Sequence, residues 1–223
     1  MSPPLRVLCL HGYSMTGGML REHMARVTAP LQAHATFSFI DAPFVVPKRE
    51  DLPAKMLAGE SARGWWKPHR DAQTNRWIFE GVDDALSSLR AADAQHGGFD
   101  CVLGFSQGAA LASLAVALRD TPDAPLPTLR CAAFFGGFAF QANVQEPDYS
   151  ALFPPVVEPF ALPSLHCYGA ADTMVKSRSS QRLAELFSHP TVHEHQGGHV
   201  VHAGARSRAL YEDWICAHAR SKL

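Results

Sequence analysis

Ser106 lies in the pentapeptide Gly104-Phe105-Ser106-Gln107-Gly108, which fits the G-x-S-x-G pattern of a nucleophile elbow. The apolar run 99–103 before it predicts a short buried strand, and the Ala- and Leu-rich run 109–118 after it predicts a helix. The two glycines permit a sharp turn, which would place the serine hydroxyl at the helix N-terminus, where N–H groups favour negative charge. The alternative interpretation is an ordinary Gly-Ser turn between a strand and a helix.

Two further candidates follow Ser106 along the chain, and each comes after a predicted strand. Asp172 follows the strand 165–169, and His199 follows the strand 191–195. Because the carboxyl ends of parallel strands share one edge of a sheet, we expect these side chains to converge. His199 would take the proton of the serine hydroxyl, and Asp172 would fix the imidazole tautomer. The sequence therefore predicts a nucleophile, a base and an orienting acid.

Other residues compete for these two roles. Asp41 also ends a predicted strand, but it precedes Ser106 in the chain and would break the order nucleophile, acid, base. His195 is the second candidate for the base, and His199 is favoured because Gly197-Gly198 places it on a flexible loop. For Asp172, the alternative is a helix cap or an Asx turn.

The segment His11-Gly12-Tyr13-Ser14 follows the predicted strand 5–10. A His-Gly pair after the first core strand is where α/β-hydrolases place one oxyanion donor. Gly12 would let the backbone turn so that the Tyr13 N–H points at the substrate oxygen, and the Gln107 N–H would be the other donor. We interpret His11 itself as a structural histidine that hydrogen-bonds the loop.

Long segments without periodicity, 42–53, 61–76 and 138–163, are predicted as loops. The first two contain Phe44 and Trp65-Trp66. Long loops in a compact domain are usually functional, so we expect a lid or pocket wall that offers aromatic surface to an acyl chain. The alternative is a satellite hydrophobic cluster. The third loop, stiffened by prolines, is expected to contribute to the same pocket.

Strands and helices alternate along the chain, which predicts an α/β fold with a mainly parallel sheet of about six strands and helices on both faces. No boundary is visible, so residues 1–223 are predicted to form one domain. The predicted strands are 5–10, 36–41, 99–103, 131–135, 165–169 and 191–195, and the predicted helices are 17–35, 78–94, 109–118, 177–187 and 204–223. In the first helix, Pro30 is expected either near the end or at the opening of a second turn.

Composition excludes several classes of protein. The chain has 223 residues, 47% of them hydrophobic and 18% charged, which is typical of a globular protein rather than a disordered one. Its net charge of −1 favours neither nucleic acid nor an anionic membrane. No apolar run is long enough for a transmembrane helix, and the N-terminus leads directly into a strand, so no secretory signal is predicted.

Cysteine and histidine patterns favour structural roles over metal binding. The five cysteines have no C-x-x-C spacing, and we interpret them as small buried hydrophobes in a reducing compartment. Four histidines cluster late in the chain, but their spacing fits no metal-binding motif, so no metal site is predicted. The cysteines are Cys9, Cys101, Cys131, Cys167 and Cys216, and the histidines are His193, His195, His199 and His202.

Together these stretches resemble the FSH family of serine hydrolases, a branch of the α/β-hydrolase superfamily. The chain order Ser, Asp, His is that of the superfamily. The resemblance implies that Ser106, Asp172 and His199 are the catalytic triad, that no cofactor is needed, and that the substrate is a small-molecule carboxylic ester or thioester. The matching stretches are 10–13, 44–47, 65–66, 104–110, 135–138, 166–172 and 197–199.

The function expected from this pattern is hydrolysis of acyl esters or thioesters through an acyl-enzyme. A lysophospholipase or acyl-protein thioesterase is the alternative enzyme, and a non-catalytic binding protein of the same fold is the alternative class. The chain ends Ser221-Lys222-Leu223, a peroxisomal address when it is read by an import receptor, which favours a peroxisomal location over the cytoplasm. The alternative is a helix end that happens to have this sequence.

Overall fold

The computed structural model describes residues 3–47, 62–70, 72–73, 77–140 and 158–220. The segment Ser221-Lys222-Leu223, half of the predicted loop 42–53 and most of the predicted loop 138–163 lie outside these residues. The strands are β1 (Leu5–Leu10), β2 (Ala35–Ile40), β3 (Phe44–Val45), β4 (Arg63–Gly64), β5 (Lys67–Arg70), β6 (Trp77–Glu80), β7 (Cys101–Phe105), β8 (Cys131–Phe135), β9 (Ser164–Gly169) and β10 (Pro190–His195). The helices are α1 (Gly17–Thr28), α2 (Val82–His96), α3 (Gln107–Ala117), α4 (Ser177–Ala184) and α5 (Ala205–Arg220), with a 3₁₀ turn at Ala29–Leu31.

Six strands form the central sheet in the order β10-β9-β8-β7-β1-β2, and every neighbouring pair is parallel. Alternate residues of each strand face opposite sides, so Leu8 and Phe134 pack with α2, α3 and α4, whereas Val7 and Leu103 pack with α1 and α5. This arrangement confirms the predicted α/β-hydrolase fold with a parallel sheet covered on both faces. No helix in the described ranges is both long and apolar enough to cross a membrane.

Three expectations about local structure were wrong. The predicted helix 17–35 ends at Thr28, and Pro30, which cannot donate a backbone hydrogen bond, lies in a separate 3₁₀ turn, as the alternative of a second turn had it. The range was too long, because Ala35 already pairs with Leu5 in the sheet. The predicted helix 78–94 begins only at Val82. Before it, β6 pairs with β5 in an antiparallel hairpin, and Gly81 separates strand from helix at a φ of +89°.

The third correction concerns the loops 42–53 and 61–76, which contain the short antiparallel pair β3–β4 and the strand β5. β3 and β4 have two residues each, which is too few for the alternation of polar and apolar residues that predicts a strand.

The cysteines of the central strands are buried and free, as expected of small core residues. Cys9, Cys101, Cys131 and Cys167 all belong to the core on the α1 and α5 face. Burial raises the pKa of the Cys167 thiol to about 12. A thiol of this kind remains protonated at neutral pH and cannot act as a nucleophile.

His166 on β9 makes stability depend on pH. Its ring lies 4.9 Å from that of Phe134 and 5.1 Å from that of Phe187, and burial lowers its pKa to about 3. The unfolded chain binds this proton below about pH 6.5 and the folded chain does not, so stability is lost as the pH falls from about 6.5 towards 3. At pH 5 the loss from this residue is about 2 kcal/mol.

We therefore expect the free-energy difference between wild type and His166→Leu to change by about 2 kcal/mol, in favour of the variant, between pH 7.5 and pH 5.0. Urea unfolding at both pH values measures it, and the comparison cancels every other histidine that titrates in this range. An unchanged difference would show that His166 is protonated equally in both states.

Candidate active site

Ser106 occupies a strained turn between β7 and α3. Its φ is 55° and its ψ is −116°, a backbone conformation that residues other than glycine rarely adopt. A Cβ at Gly104 would collide with the backbone of Ala109, and one at Gly108 would collide with the carbonyl of Leu10. The glycines of the elbow are therefore required by the close approach of helix, strand and turn, and the serine stands at the N-terminus of a buried helix.

Asp172 follows the end of β9, and its two carboxylate oxygens have different partners. Oδ1 accepts hydrogen bonds from the N–H groups of Met174 and Val175, each at 2.9 Å. Oδ2 accepts a hydrogen bond of 2.6 Å from Nδ1 of His199. The Asx turn and the contact with the candidate base, which were alternatives in the sequence, are both present.

The loop that carries His199 lies against the loop that carries Asp172, since the N–H of Ala171 donates to the carbonyl of Gly197 at 3.1 Å. The imidazole packs on the ring of Phe105, with centroids 4.8 Å apart, and a Cβ at Gly136 would approach its Cε1 to 2.9 Å. Nε2 of His199 is buried and has no hydrogen-bond partner within the described part of the chain. With Nδ1 donating to a carboxylate, Nε2 is the nitrogen able to accept a proton.

The competing acid and base have other partners. Asp41 accepts a hydrogen bond of 2.7 Å from the N–H of Gly17 at the start of α1, and lies 3.6 Å from the guanidinium of Arg63. Nδ1 of His195 accepts a hydrogen bond of 3.1 Å from the N–H of Gly197. The structure thus pairs Asp172 with His199 rather than with His195.

The remaining clustered histidines form a polar network behind the site. Nε2 of His193 and Nδ1 of His202 both lie 2.7 Å from the hydroxyl of the buried Ser207. Among the described residues, no group of three or more His, Cys, Asp or Glu side chains is arranged to hold a metal ion.

His11 hydrogen-bonds the loop around it, in agreement with its structural interpretation. The N–H of Ala42 donates to its Nε2 at 3.0 Å, so the ring proton must be on Nδ1, which donates to the carbonyl of Gly12 at 2.8 Å. Burial lowers the pKa of His11 to about 4, so the ring is neutral at neutral pH. Because a trans peptide is planar, holding the Gly12 oxygen fixes the opposite direction of the Tyr13 N–H in the same peptide.

A cavity of about 250 Å³ opens beside Ser106 and Gln107. Its other described walls are apolar or aromatic: Tyr13, Trp66, Pro68, Phe79 and Phe138. The rings of Trp66 and Phe79 are 5.5 Å apart. Such a lining suits an uncharged acyl chain.

Of the three aromatic residues expected in the pocket, the structure brings Trp66 to the cavity wall. Trp65 is fully buried behind it, with Nε1 donating to the carbonyl of His11 at 2.8 Å. Phe44 packs over Gly81 and under the ammonium of Lys67, which is 4.7 Å from its ring centroid. Trp65 and Trp66 lie at a bend between β4 and β5, and the sequence did not indicate which of the two side chains would reach the cavity.

Pro68, Phe79 and Phe138 are cavity residues that sequence reasoning did not single out. Pro68 and Phe79 face each other across the β5–β6 hairpin, so their position depends on a pairing that the sequence did not reveal. Phe138 follows directly after β8 and Gly136-Gly137, at the start of a loop that was expected to contribute to the pocket.

An all-parallel sheet of this order, with a serine at a strained turn before a buried helix, defines an α/β-hydrolase. The family profile described as serine hydrolase (FSH1) matches residues 1–209. The chain therefore belongs to the FSH1 family of serine hydrolases, which confirms the resemblance seen in the sequence. It is a hydrolase, and its general reaction is the hydrolysis of esters.

Individual relatives agree with this assignment. Esterase OVCA2 of Danio rerio is 30% identical, over 95% of this chain and 96% of its own length. Esterase OVCA2 of Homo sapiens is 31% identical, over 93% of this chain and 94% of its own length. Among solved structures, SOBER1 of Arabidopsis thaliana superimposes with a TM-score of 0.65 at 22% identity, over 98% of this chain and 100% of that one, which supports the fold.

Proposed function

We propose that the chain hydrolyses carboxylic esters or thioesters of uncharged acyl groups through an acyl-enzyme on Ser106. The observation that carries the proposal is the 2.6 Å hydrogen bond from His199 Nδ1 to Asp172, which leaves Nε2 of the same ring able to accept a proton. A neutral serine hydroxyl is a weak nucleophile, and an oriented base is what it needs.

In the first half of the proposed reaction, Ser106 Oγ attacks the acyl carbon while Nε2 of His199 takes the hydroxyl proton. Asp172 stabilises the imidazolium that forms. The N–H groups of Gln107 and Tyr13 stabilise the negative charge that develops on the carbonyl oxygen. The bond to the leaving alcohol or thiol then breaks, and the leaving group receives the proton from Nε2.

In the second half, Nε2 of His199 takes a proton from water, and the resulting hydroxide attacks the acyl carbon of the ester on Ser106. Collapse of this intermediate returns the proton to Oγ and releases the carboxylic acid. The reaction consumes one ester or thioester and one water, and it needs no cofactor.

The cavity supports acyl groups of moderate length. Its volume of about 250 Å³ lies just below the roughly 300 to 1,000 Å³ of typical small-molecule sites, which favours an acyl group of several carbons over a very long one. Since the described walls carry no charged side chain, the acyl chain itself is expected to be uncharged. The wall residue Trp66 would then limit the length of chain that fits.

The test is hydrolysis of p-nitrophenyl esters from C2 to C16 by wild type, Trp66→Leu and Phe44→Leu. We expect wild type to have an optimum at medium length. Trp66→Leu should shift the optimum by about two or more carbons towards longer chains, because it removes roughly half of a bulky wall side chain. Leucine is chosen because it keeps an apolar group at a position that is 2% exposed.

Phe44→Leu is the matched control, since Phe44 packs over Gly81 outside the cavity lining, and its optimum should equal that of wild type. Repeating the series with acyl thioesters separates the two leaving-group classes. No hydrolysis above the buffer rate at any length would contradict the proposed function, and a shift in Phe44→Leu as large as in Trp66→Leu would remove Trp66 from the pocket.

A further inference from the structure

Gln107 contributes two buried hydrogen bonds in addition to its backbone position at the elbow. Its Oε1 accepts from the backbone N–H of Trp65 at 2.9 Å, and its Nε2 donates to the carbonyl of Trp66 at 3.2 Å. The side chain is 5% exposed. The carboxamide therefore links the segment between β4 and β5, which bends at Trp65 and Trp66, to the start of α3.

Trp65 continues this connection to the other side of the site. Its indole Nε1 donates to the carbonyl of His11 at 2.8 Å, and the two rings lie 5.1 Å apart. His11 in turn holds the Gly12 carbonyl at 2.8 Å, and thereby the direction of the Tyr13 N–H. A continuous set of buried hydrogen bonds thus runs from Gln107 through Trp65 to the Gly12–Tyr13 peptide.

We propose that the Gln107 side chain and Trp65 form an oxyanion brace, which fixes the distance and direction between the Gln107 and Tyr13 N–H groups. The proposal rests on the proposed function, in which these two N–H groups stabilise the oxyanion. Trp65 is fully buried and lies outside the cavity lining, and both hydrogen bonds of the carboxamide go to backbone groups, so we assign both as positioning residues.

The energetic reason for the brace is preorganisation. An oxyanion hole is effective because its donors are already aimed at the place where charge develops, and a misplacement of about 1 Å can cost about 100-fold in rate. One donor follows β1 and the other begins α3, so no short stretch of chain fixes both. The two segments touch directly where Gly108 lies against the carbonyl of Leu10, and the brace adds hydrogen bonds that are shielded from water, where they are stronger.

The test removes the indole N–H without changing the shape of the side chain. Trp65→β-(3-benzothienyl)alanine replaces the N–H by sulfur, and the same replacement at Trp214, on the opposite face of the sheet, is the matched control. We expect kcat of the Trp65 variant to fall by about 10- to 100-fold, with KM within about threefold of wild type. The Trp214 variant should keep the wild-type kcat.

A second measurement distinguishes positioning from a general structural role. A trifluoromethyl ketone with the preferred acyl chain forms a tetrahedral oxyanion, whereas the matching primary alcohol does not. The Trp65 variant should bind the ketone more weakly by the factor lost in kcat and the alcohol as wild type does. If the Trp65 variant fails to fold, Gln107→Met is the second test, since it removes both carboxamide hydrogen bonds. It should lower kcat and weaken binding of the ketone, but not of the alcohol, by a similar factor.

Three results would overturn the brace: a kcat within twofold of wild type, a loss confined to KM, or a loss in kcat without weaker binding of the ketone. Ser106→Ala measured in parallel separates this failure from failure of the proposed function. If Ser106→Ala is inactive and the Trp65 variant is fully active, only the brace is wrong. If Ser106→Ala keeps the wild-type rate, the proposed function and the brace are both wrong.

Discussion

Replacing Ser106 with alanine is expected to lower kcat/KM for the preferred ester by about 10⁴- to 10⁶-fold, equivalent to about 5.5 to 8 kcal/mol of transition-state stabilisation. Alanine keeps the Cβ in the turn but removes the oxygen that would form the acyl-enzyme. The residual rate would come from the oxyanion donors and from binding of the acyl chain. Steady-state hydrolysis, with urea unfolding to show that the fold is retained, measures the effect.

Ser188→Ala is the matched control for this substitution. Its hydroxyl is exposed and donates to the carbonyl of Phe160 at 3.2 Å, so the same chemical change occurs away from the cavity. We expect its kcat/KM to lie within about twofold of wild type. A fluorophosphonate should label wild type and Ser188→Ala but not Ser106→Ala. Equal rates in Ser106→Ala and wild type would mean that the elbow is not the nucleophile, and would favour a binding protein of the same fold.

The features that sequence reasoning predicted well are those dictated by short-range rules. Strands of a parallel sheet are buried on both faces, so β1, β7 and β8 appear in the sequence as nearly continuous apolar runs. The elbow is visible because the backbone approaches so closely at Gly104 and Gly108 that a Cβ would collide there. Asp172 and His199 could be selected because strand ends of a parallel sheet share one edge.

The features that escaped prediction depend on contacts between distant parts of the chain. The β5–β6 hairpin pairs Lys67–Arg70, which has no apolar alternation, with Trp77–Glu80, whose apolar residues continue the helical spacing of α2. The change from strand to helix occurs at Gly81, where φ is positive, and the spacing of apolar residues does not reveal it. The carboxamide of Gln107 offers no sequence signal at all, since its partners are backbone groups of a segment about forty residues away.

Asp172→Asn is expected to lower kcat by about 10⁴-fold while leaving the loop folded. The asparagine oxygen can still accept from the N–H groups of Met174 and Val175, as Oδ1 does now. Its NH₂ group would then face Nδ1 of His199, which could only accept, so the ring proton would move to Nε2. A base with its proton on Nε2 cannot take the proton of Ser106, and kcat measured near neutral pH reports the loss.

Asp172→Ala is the comparison that separates the two roles of the carboxylate. It removes the partner of His199 and the Asx turn together, so it should lose a similar factor in kcat and also about 1 to 3 kcal/mol of unfolding free energy that the asparagine variant retains. A kcat within tenfold of wild type in Asp172→Asn would contradict the orienting role. If activity were lost only in the alanine variant, Asp172 would instead be a turn-forming residue. The asparagine variant keeps the hydrogen bonds of Oδ1 with the backbone, and the alanine variant loses them.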